Sequence, residues 1–296
     1  MKKTLFWSIL VLLLMYLSVN VFGAGLVGDV NGDGKVTVFD AQLLLEHDLG
    51  LRALMEEQQA AAADLTAEDI VEQILYGNNL VAPEKIPATM TKQNYRGLNY
   101  WLYTPEDPAE NMPLVVYLHG GSGKGDDLEL ITGVDGFPQY LRDGRIVCEA
   151  YVIIPQCPSD QKGWKTMTNS VETLIDYTCT AYRLDSGKVS LTGHSMGGTG
   201  VWSMALSKPE LFYKIAPMSG SVTLNDQNVE TLSKIPVWAF VGEKDTVVAP
   251  DSTIDMVEAL QLAHGDASVT ILEGADHFAV PSLAYLESTV IDWLID

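Results

Sequence analysis

The chain has 296 residues, of which 47% are apolar and 19% charged, and its formal net charge is −21. This composition is that of a folded globular protein and excludes a disordered or collagen-like chain. Acidic residues outnumber basic ones by 39 to 18, which argues against a nucleic-acid binder or a protein docked on anionic lipid. Charge alone therefore favours a neutral or cationic partner.

The first 23 residues have the pattern of a secretory signal. Lys2 and Lys3 precede an apolar run over residues 5–19, and Gly23 offers a cleavage site. The run is shorter than the roughly 20 residues of a membrane-spanning helix, although an uncut N-terminal anchor is the alternative. We predict a secreted, extracellular protein with no membrane contact after cleavage.

Residues 29–40 carry oxygen-bearing side chains at the spacing of a calcium-binding loop. Gly34 stands where such a loop turns sharply, and the seventh position supplies only a backbone carbonyl. The six ligand positions hold Asp29, Asn31, Asp33, Lys35, Thr37 and Asp40. We predict one structural Ca²⁺ here; the alternative is an Asx-rich turn without a metal.

A second copy of this loop-and-helix pattern follows over residues 64–77, with six loop residues missing. The tandem pair, residues 24–78, resembles the dockerin module of cellulosome enzymes, a small all-α unit of the EF-hand type. The resemblance implies binding to a cohesin on a scaffoldin, and so a cellulosome or cell-surface association. Because the second copy lacks its metal loop, only one Ca²⁺ is expected. Val38 and Phe39, at the recognition positions of the family, mark either a cohesin surface or a buried helix start.

After a linker over residues 79–91, β-rich runs alternate with helical segments from residue 92 to residue 296. The predicted strands cover residues 98–103, 114–118, 150–154, 189–192, 215–218, 237–241 and 269–272, and the predicted helices lie near residues 170–183, 197–207, 251–263 and 281–295. This alternation predicts a mainly parallel sheet with helices on both faces. Functional side chains are then expected at the carboxyl ends of the strands.

A Gly-x-Ser-x-Gly motif with Ser195 at its centre lies between a predicted strand and a predicted helix. Such a turn lifts the serine hydroxyl above the sheet, and its glycines avoid a collision of Cβ atoms with the neighbouring strand and helix. Ser195 is therefore the predicted nucleophile.

A serine nucleophile needs a base and an orienting acid, which follow it here in the order acid, then histidine. Asp245 follows the strand at 237–241 and is the predicted acid, ahead of Asp251 and Asp276. His277 follows the strand at 269–272 and is the predicted base.

Glycines after the strand at 114–118 predict an oxyanion hole, because they let backbone N–H groups point inward without obstruction. The expected donors are the N–H groups of Met196 and Gly121, with Ser122 as the alternative to Gly121. His119 and His194 flank these features and are expected to form structural hydrogen bonds.

Together these motifs resemble the α/β-hydrolase superfamily, and more closely its small carboxylesterase, feruloyl-esterase and predicted-peptidase group. The closer resemblance lies in residues 118–121 and in residues 155–158 followed by Trp164. It covers residues 92–296 and implies a Ser-His-Asp acyl-enzyme mechanism that uses no catalytic cofactor.

About two hundred residues leave no long insertion for a lid, and an uncovered cleft suits an acyl group carried on a polymer. Trp164 and Met167 either line the acyl or sugar site, or Trp164 packs under its own loop. We predict a secreted serine esterase that removes acetyl or feruloyl groups from plant cell-wall polysaccharide. The alternatives are a serine peptidase of the same fold and a catalytically silent adaptor that binds a scaffold.

Three cysteines allow at most one disulfide. Cys148 and Cys157 stand at opposite ends of a predicted strand, too far apart to pair. If a bridge forms, the predicted pair is Cys148 with Cys179; the alternative is three reduced thiols.

Overall fold

The computed structural model describes residues 40–41 and 88–296. The chain divides into two compact units, Met1–Lys85 and Ile86–Asp296. In the first, Asp40 and Ala41 lie in a helix and are buried. The predicted signal, the rest of the dockerin-like module, most of the linker and the calcium ligands Asp29, Asn31, Asp33, Lys35 and Thr37 lie outside the described residues.

The second unit is built on one eight-stranded sheet, in the order β1-β2-β4-β3-β5-β6-β7-β8. Its strands are β1 (Thr89–Tyr95), β2 (Leu98–Thr104), β3 (Leu114–Leu118), β4 (Tyr151–Pro155), β5 (Val189–His194), β6 (Lys214–Met218), β7 (Val237–Gly242) and β8 (Ala267–Leu272). The pairs β1–β2 and β2–β4 are antiparallel, and all the other pairs are parallel. The carboxyl ends of β3 to β8 therefore meet along one edge.

Eight α-helices lie between and after these strands. They are α1 (Glu129–Thr132), α2 (Phe137–Arg142), α3 (Thr168–Tyr182), α4 (Met196–Ser207), α5 (Asp226–Leu232), α6 (Asp251–Leu262), α7 (Val280–Glu287) and α8 (Val290–Ile295). Short 3₁₀ turns at Gly121–Gly123, Trp164–Thr166 and Pro209–Leu211 complete the connections.

The sheet separates two apolar cores. Alternate residues of β3 face opposite ways, so that Val116 packs with α3 to α6 on one face while Val115 packs with α1, α2, α7 and α8 on the other. Every residue of β3 and β4 is buried, as expected for central strands covered on both faces. The predicted doubly covered, mainly parallel sheet is confirmed.

The structure differs from the sequence prediction where elements are polar or short. Strand β1 begins at Thr89, inside the predicted linker. The sequence did not predict it because it is a polar edge strand whose residues are mostly exposed. Helices α1, α2 and α5 have four to seven residues, too few to form a recognisable period. The single helix predicted near 281–295 is two helices, α7 and α8.

The three cysteines are buried free thiols. Cys148 belongs to the core on the α1 face of the sheet and Cys179 to the core on the α3 face. The predicted Cys148–Cys179 pairing is therefore wrong, because the sheet lies between the two side chains. Burial raises the pKa of the Cys148 thiol to about 12 and that of Cys179 to about 11, which keeps both protonated.

Candidate active site

Ser195 stands between the end of β5 and the start of α4, in a backbone conformation that side chains rarely adopt. Its φ is 61° and its ψ is −120°, and the N–H of Ser195 donates to the carbonyl of Met218 at 3.0 Å. A Cβ atom at Gly197 would lie 1.8 Å from the carbonyl oxygen of Leu118, so only glycine fits this close approach. The tight turn holds the strained serine at the carboxyl edge of the sheet.

The side chains of Ser195, His277 and Asp245 form a hydrogen-bonded chain. The Ser195 hydroxyl donates to Nε2 of His277 over 2.8 Å, and Nδ1–H of His277 donates to Oδ2 of Asp245 over 2.7 Å. The three residues come from the ends of β5, β7 and β8, as the sequence predicts. The rival acids lie elsewhere: Asp251 opens α6, and Asp276 caps the N–H groups of the two residues after His277.

Asp245 is a buried carboxylate held by backbone donors. Its Oδ1 accepts from the N–H groups of Val247 at 2.9 Å and Val248 at 2.8 Å. Burial by itself raises the pKa of Asp245, but the hydrogen bonds from Val248, His277 and Val247 outweigh it and leave the pKa below its ordinary value. The carboxylate therefore stays ionised and fixes the tautomer of the His277 ring.

His194 braces the loop that carries His277. Its Nε2–H donates to the backbone carbonyl of His277 at 2.8 Å, and the two rings lie 4.6 Å apart. Burial lowers the pKa of His194 to about 4, so this ring is neutral at physiological pH. The structural hydrogen bond expected of His194 is confirmed.

The glycine run after β3 lies directly against the serine. A Cβ at Gly120 would lie 3.5 Å from Cβ of Ser195. The 3₁₀ turn begins at Gly121, and α4 begins at Met196. First-turn N–H groups have no partner within their own helix. The structure therefore brings the two predicted donors to adjacent helix starts, one of them next to the serine in the chain.

The His119 ring links the glycine run after β3 to the chain after β4 by two hydrogen bonds. Its Nδ1–H donates to the carbonyl of Gly120 at 2.6 Å, and its Nε2 accepts the N–H of Cys157 at 2.9 Å. Burial lowers the pKa of His119 to about 4. Only the neutral ring can make both contacts, so His119 has the structural role predicted for it.

Trp164 does not line the substrate site, and the prediction that it does is wrong. Its side chain is 1% exposed, its Nε1–H donates to the carbonyl of His119 at 2.9 Å, and the two rings lie 4.9 Å apart. A Cβ at Gly200 would lie 2.6 Å from Cβ of Trp164, so this glycine makes room for the indole. Met167 is buried as well. Trp164 packs under its own loop, the alternative left open by the sequence.

A groove of about 440 Å³ opens beside Ser195 and His277. Its apolar wall is formed by Tyr117, Ile131, Val134, Pro138, Val247, Phe278 and Pro281. Sequence reasoning missed these residues, which come from β3, α1, α2, α7 and three separate loops. The signal available was a set of apolar residues just after strand ends; in the structure Phe278 is 73% exposed and Val247 60% exposed.

The site is equipped for acyl transfer. It presents a strained serine hydroxyl, a histidine nitrogen that accepts a hydrogen bond from this hydroxyl, an ionised buried carboxylate and backbone N–H groups at two helix starts. Within residues 40–41 and 88–296, no cluster of three or more histidine, cysteine, aspartate or glutamate side chains could hold a metal ion. In the same ranges no helix has the length and hydropathy to cross a membrane.

Strand order, strand directions and the position of the serine turn define an α/β-hydrolase fold. The model of the dienelactone hydrolase family matches residues 156–289, a stretch that contains Ser195, Asp245 and His277. Acetylxylan esterase A of Aspergillus ficuum is 25% identical over 210 residues, which cover 60% of this chain and 64% of that protein. The chain thus spans less than two thirds of that relative.

Solved structures with the same fold include a thermostable esterase and an acetyl xylan esterase. The thermostable esterase is 27% identical, with a TM-score of 0.56 over 73% of this chain and 64% of its own. The acetyl xylan esterase from Aspergillus awamori is 18% identical, with a TM-score of 0.54 over 70% of this chain and 98% of its own. At that identity the second likeness concerns the fold alone.

Proposed function

We propose that this chain is a secreted serine esterase that cleaves acyl groups from plant cell-wall polysaccharide. The observation that carries the proposal is the hydrogen-bonded chain from Ser195 through His277 to Asp245, placed at the mouth of an open groove. The similarity to an acetylxylan esterase supports the substrate class. The apolar leader supports secretion.

In the acylation step, Oγ of Ser195 attacks the ester carbonyl while Nε2 of His277 takes the hydroxyl proton. The carbonyl oxygen becomes negative and is stabilised by the N–H groups of Met196 and Gly121; one such donor contributes about 3–4 kcal/mol to the transition state. Collapse of this intermediate breaks the bond to the alcohol oxygen. His277 returns its proton to that oxygen, so the sugar hydroxyl leaves neutral and the acyl group stays on Ser195.

Deacylation repeats the sequence with water. Nε2 of His277 takes a proton from a water molecule, whose oxygen attacks the acyl-enzyme carbonyl. The bond to Oγ of Ser195 then breaks, the serine regains its proton from His277, and a carboxylic acid leaves. Asp245 stays ionised throughout and stabilises the positive ring that forms in each step.

The groove beside the serine is proposed to hold the acyl group. Its walls are mainly apolar side chains, among them the exposed Val247 and Phe278. Apolar surface that is open to water favours a ligand that covers it. Such walls accept an acetyl group and also have room for an acyl group of the feruloyl type.

Ser195→Ala tests the proposal. We expect the turnover of 4-nitrophenyl acetate and of acetylated xylan to fall about 10⁶-fold, with the unfolding midpoint unchanged. Ser170→Ala, at an exposed serine of α3, is the control and should retain full activity. More than a trace of turnover by Ser195→Ala would contradict the mechanism. Faster turnover of peptide anilides than of esters by the unaltered enzyme would contradict the assignment as an esterase.

For the N-terminal module we propose one structural Ca²⁺, held by Asp29, Asn31, Asp33, Thr37, Asp40 and the carbonyl of Lys35. The support is the set of hard oxygen donors in the sequence. At a hundredfold excess over its Kd the ion should stabilise the module by about 2.7 kcal/mol. Calorimetric titration of EDTA-stripped protein should find one site, and ester turnover should survive EDTA. Two equal sites, or none, would contradict this proposal. A cohesin partner stays a prediction from the resemblance.

A further inference from the structure

A second groove begins one helical turn beyond the nucleophile. It has a volume of about 540 Å³ and runs along α4 from Thr199 to Ser207. Ser195 itself does not line this groove; it lies one turn before Thr199, whose N–H donates to the carbonyl of Ser195 at 2.9 Å. With a rise of about 1.5 Å per residue, the far end of the groove lies about 12 Å further along the helix.

The walls of this groove are rich in uncharged hydrogen-bonding groups. Thr199, Ser203 and Ser207 are spaced four residues apart and so share one face of α4. Opposite them lie Ser221, Thr223 and Asn228, from the loop after β6 and from α5. Of the described residues that line it, Lys165 alone is charged and none is a carboxylate, although the chain carries a net charge of −21. A neutral ligand with many hydroxyl groups fits such walls better than a cation does.

The polar wall is held in place before any ligand arrives. The Thr199 hydroxyl oxygen accepts the N–H of Ser221 at 3.0 Å, and the amide of Asn228 donates to the carbonyl of Thr223 at 2.7 Å. These bonds fix the groove side of the loop after β6. A wall that is already ordered loses little conformational entropy when a ligand binds.

Trp202 supplies an independent observation. It lines the same groove and is 1% exposed, and its indole N–H has no hydrogen-bond partner among the described residues. Buried donors are nearly always paired. The N–H itself is covered by protein atoms, so an oxygen-bearing ligand can pair with it only when neighbouring side chains move aside.

We propose that the groove along α4 binds the polysaccharide chain that carries the ester. An ester has two sides: the acyl group enters the apolar groove, and the sugar chain runs from Ser195 along Thr199, Ser203 and Ser207. This inference rests on the proposed function and adds the path of the polymer to it. The enzyme then favours esters on long chains over the same ester on a small alcohol.

The test compares acetylated xylooligosaccharides of increasing length with 4-nitrophenyl acetate. For the unaltered enzyme we expect kcat/KM to rise with chain length. Ser203→Phe places a bulky ring in the groove and should lower kcat/KM for the oligosaccharides at least ten-fold more than for 4-nitrophenyl acetate. Thr180→Phe puts the same ring at an exposed position of α3 outside the groove and should leave both values unchanged.

A second variant keeps the test decisive if Ser203→Phe folds poorly. Ser207 is exposed at the far end of the groove, so Ser207→Trp should fold and should slow only the longer oligosaccharides. Equal losses on all substrates, or no loss in either folded variant, would overturn the proposed path. So would a native enzyme without any advantage for longer chains. If Ser195→Ala keeps its activity, the proposed function itself fails, which is a separate outcome.

Discussion

The two sides of the candidate site hold their groups in different ways. On the acid–base side, the loops after β7 and β8 hold two titratable side chains, Asp245 and His277, in direct contact. On the oxyanion side, the loop after β3 offers only backbone N–H groups. Two buried rings hold that loop: neutral His119 bonds to Gly120, and Trp164 bonds to the carbonyl of His119.

The difference separates the effect of side-chain charge from the effect of backbone position on the reaction. Removing the charge of Asp245 leaves the backbone donors around it in place but takes away what fixes the His277 ring. Removing the ring of His119 or Trp164 changes no charge at the site. It leaves the backbone N–H donors of the oxyanion loop less firmly held. Variants on the first side should therefore alter the chemistry, whereas variants on the second should alter how well the transition state is held.

The largest effect is expected on the acid–base side. Asp245→Asn keeps the shape of the side chain but cannot hold the protonated His277 ring, so kcat for 4-nitrophenyl acetate should fall by about 10⁴. This loss is smaller than the loss expected for Ser195→Ala. Asp251→Asn, at an exposed aspartate that begins α6, is the matched control and should retain full activity. A loss below tenfold for Asp245→Asn would show that the carboxylate is not the orienting group.

A smaller effect is expected on the oxyanion side. Trp164→Phe removes the donor to the carbonyl of His119 and leaves that buried oxygen unpaired. This should cost about 1–3 kcal/mol of stability. A loosened oxyanion loop should lower kcat by about 10- to 100-fold, since one full donor is worth about 10²–10³. Both quantities can be measured by urea unfolding and by steady-state kinetics.

The control for this variant is a second hydrogen-bonded tryptophan. The Trp238 indole N–H on β7 donates to the hydroxyl of Thr270 on β8 at 2.9 Å, and Trp238 does not line the groove beside Ser195. Trp238→Phe should lower stability and leave kcat unchanged. If Trp164→Phe also leaves kcat unchanged, the indole beneath the oxyanion loop has a purely structural role.

The same contrast explains what the sequence could predict. Ser195, Asp245 and His277 follow strands in a fixed order, and the ends of parallel strands meet at one edge, so their meeting was predictable. The position of Trp164 was not, because an aromatic residue in a loop can cover a groove or fill a core. Packing against Gly200 decides between these two outcomes. Strand β1 escaped prediction because a polar edge strand carries no apolar alternation.

The pH dependence of stability should be dominated by the neutral buried histidines. Burial lowers the pKa of His119 and of His194 from 6.5 to about 4. Between those values the unfolded chain binds a proton that the folded chain does not, so stability falls as the pH is lowered from about 6.5 towards 4. The loss is on the order of 3 kcal/mol for each ring.

Urea unfolding at pH 7.5 and at pH 4.5 measures this loss. His119→Gln can still contact Gly120 or Cys157 and does not titrate, so the difference between the two pH values should be smaller in this variant. An unchanged difference would mean that His119 is not the group responsible. The depressed pKa of Asp245 adds a loss at lower pH, as the pH falls through its folded-state value.

The smallest effect is expected at the rim of the apolar groove, where neither charge nor backbone geometry changes. Phe278 is 73% exposed and its ring meets that of His277 edge-on, with centroids 5.4 Å apart. An acyl group in the groove would cover part of this ring, and a partly buried aromatic ring contributes about 1 kcal/mol. Phe278→Ala should therefore lower kcat/KM about 5-fold for a feruloyl ester and less for an acetyl ester, which is too small to cover the ring.

Leu262→Ala, at an apolar residue of α6 that is 83% exposed and does not line the groove, should affect neither substrate. Equal losses on both esters would instead indicate that Phe278 acts through the His277 ring. Its role would then be to position the base and not to contact the acyl group.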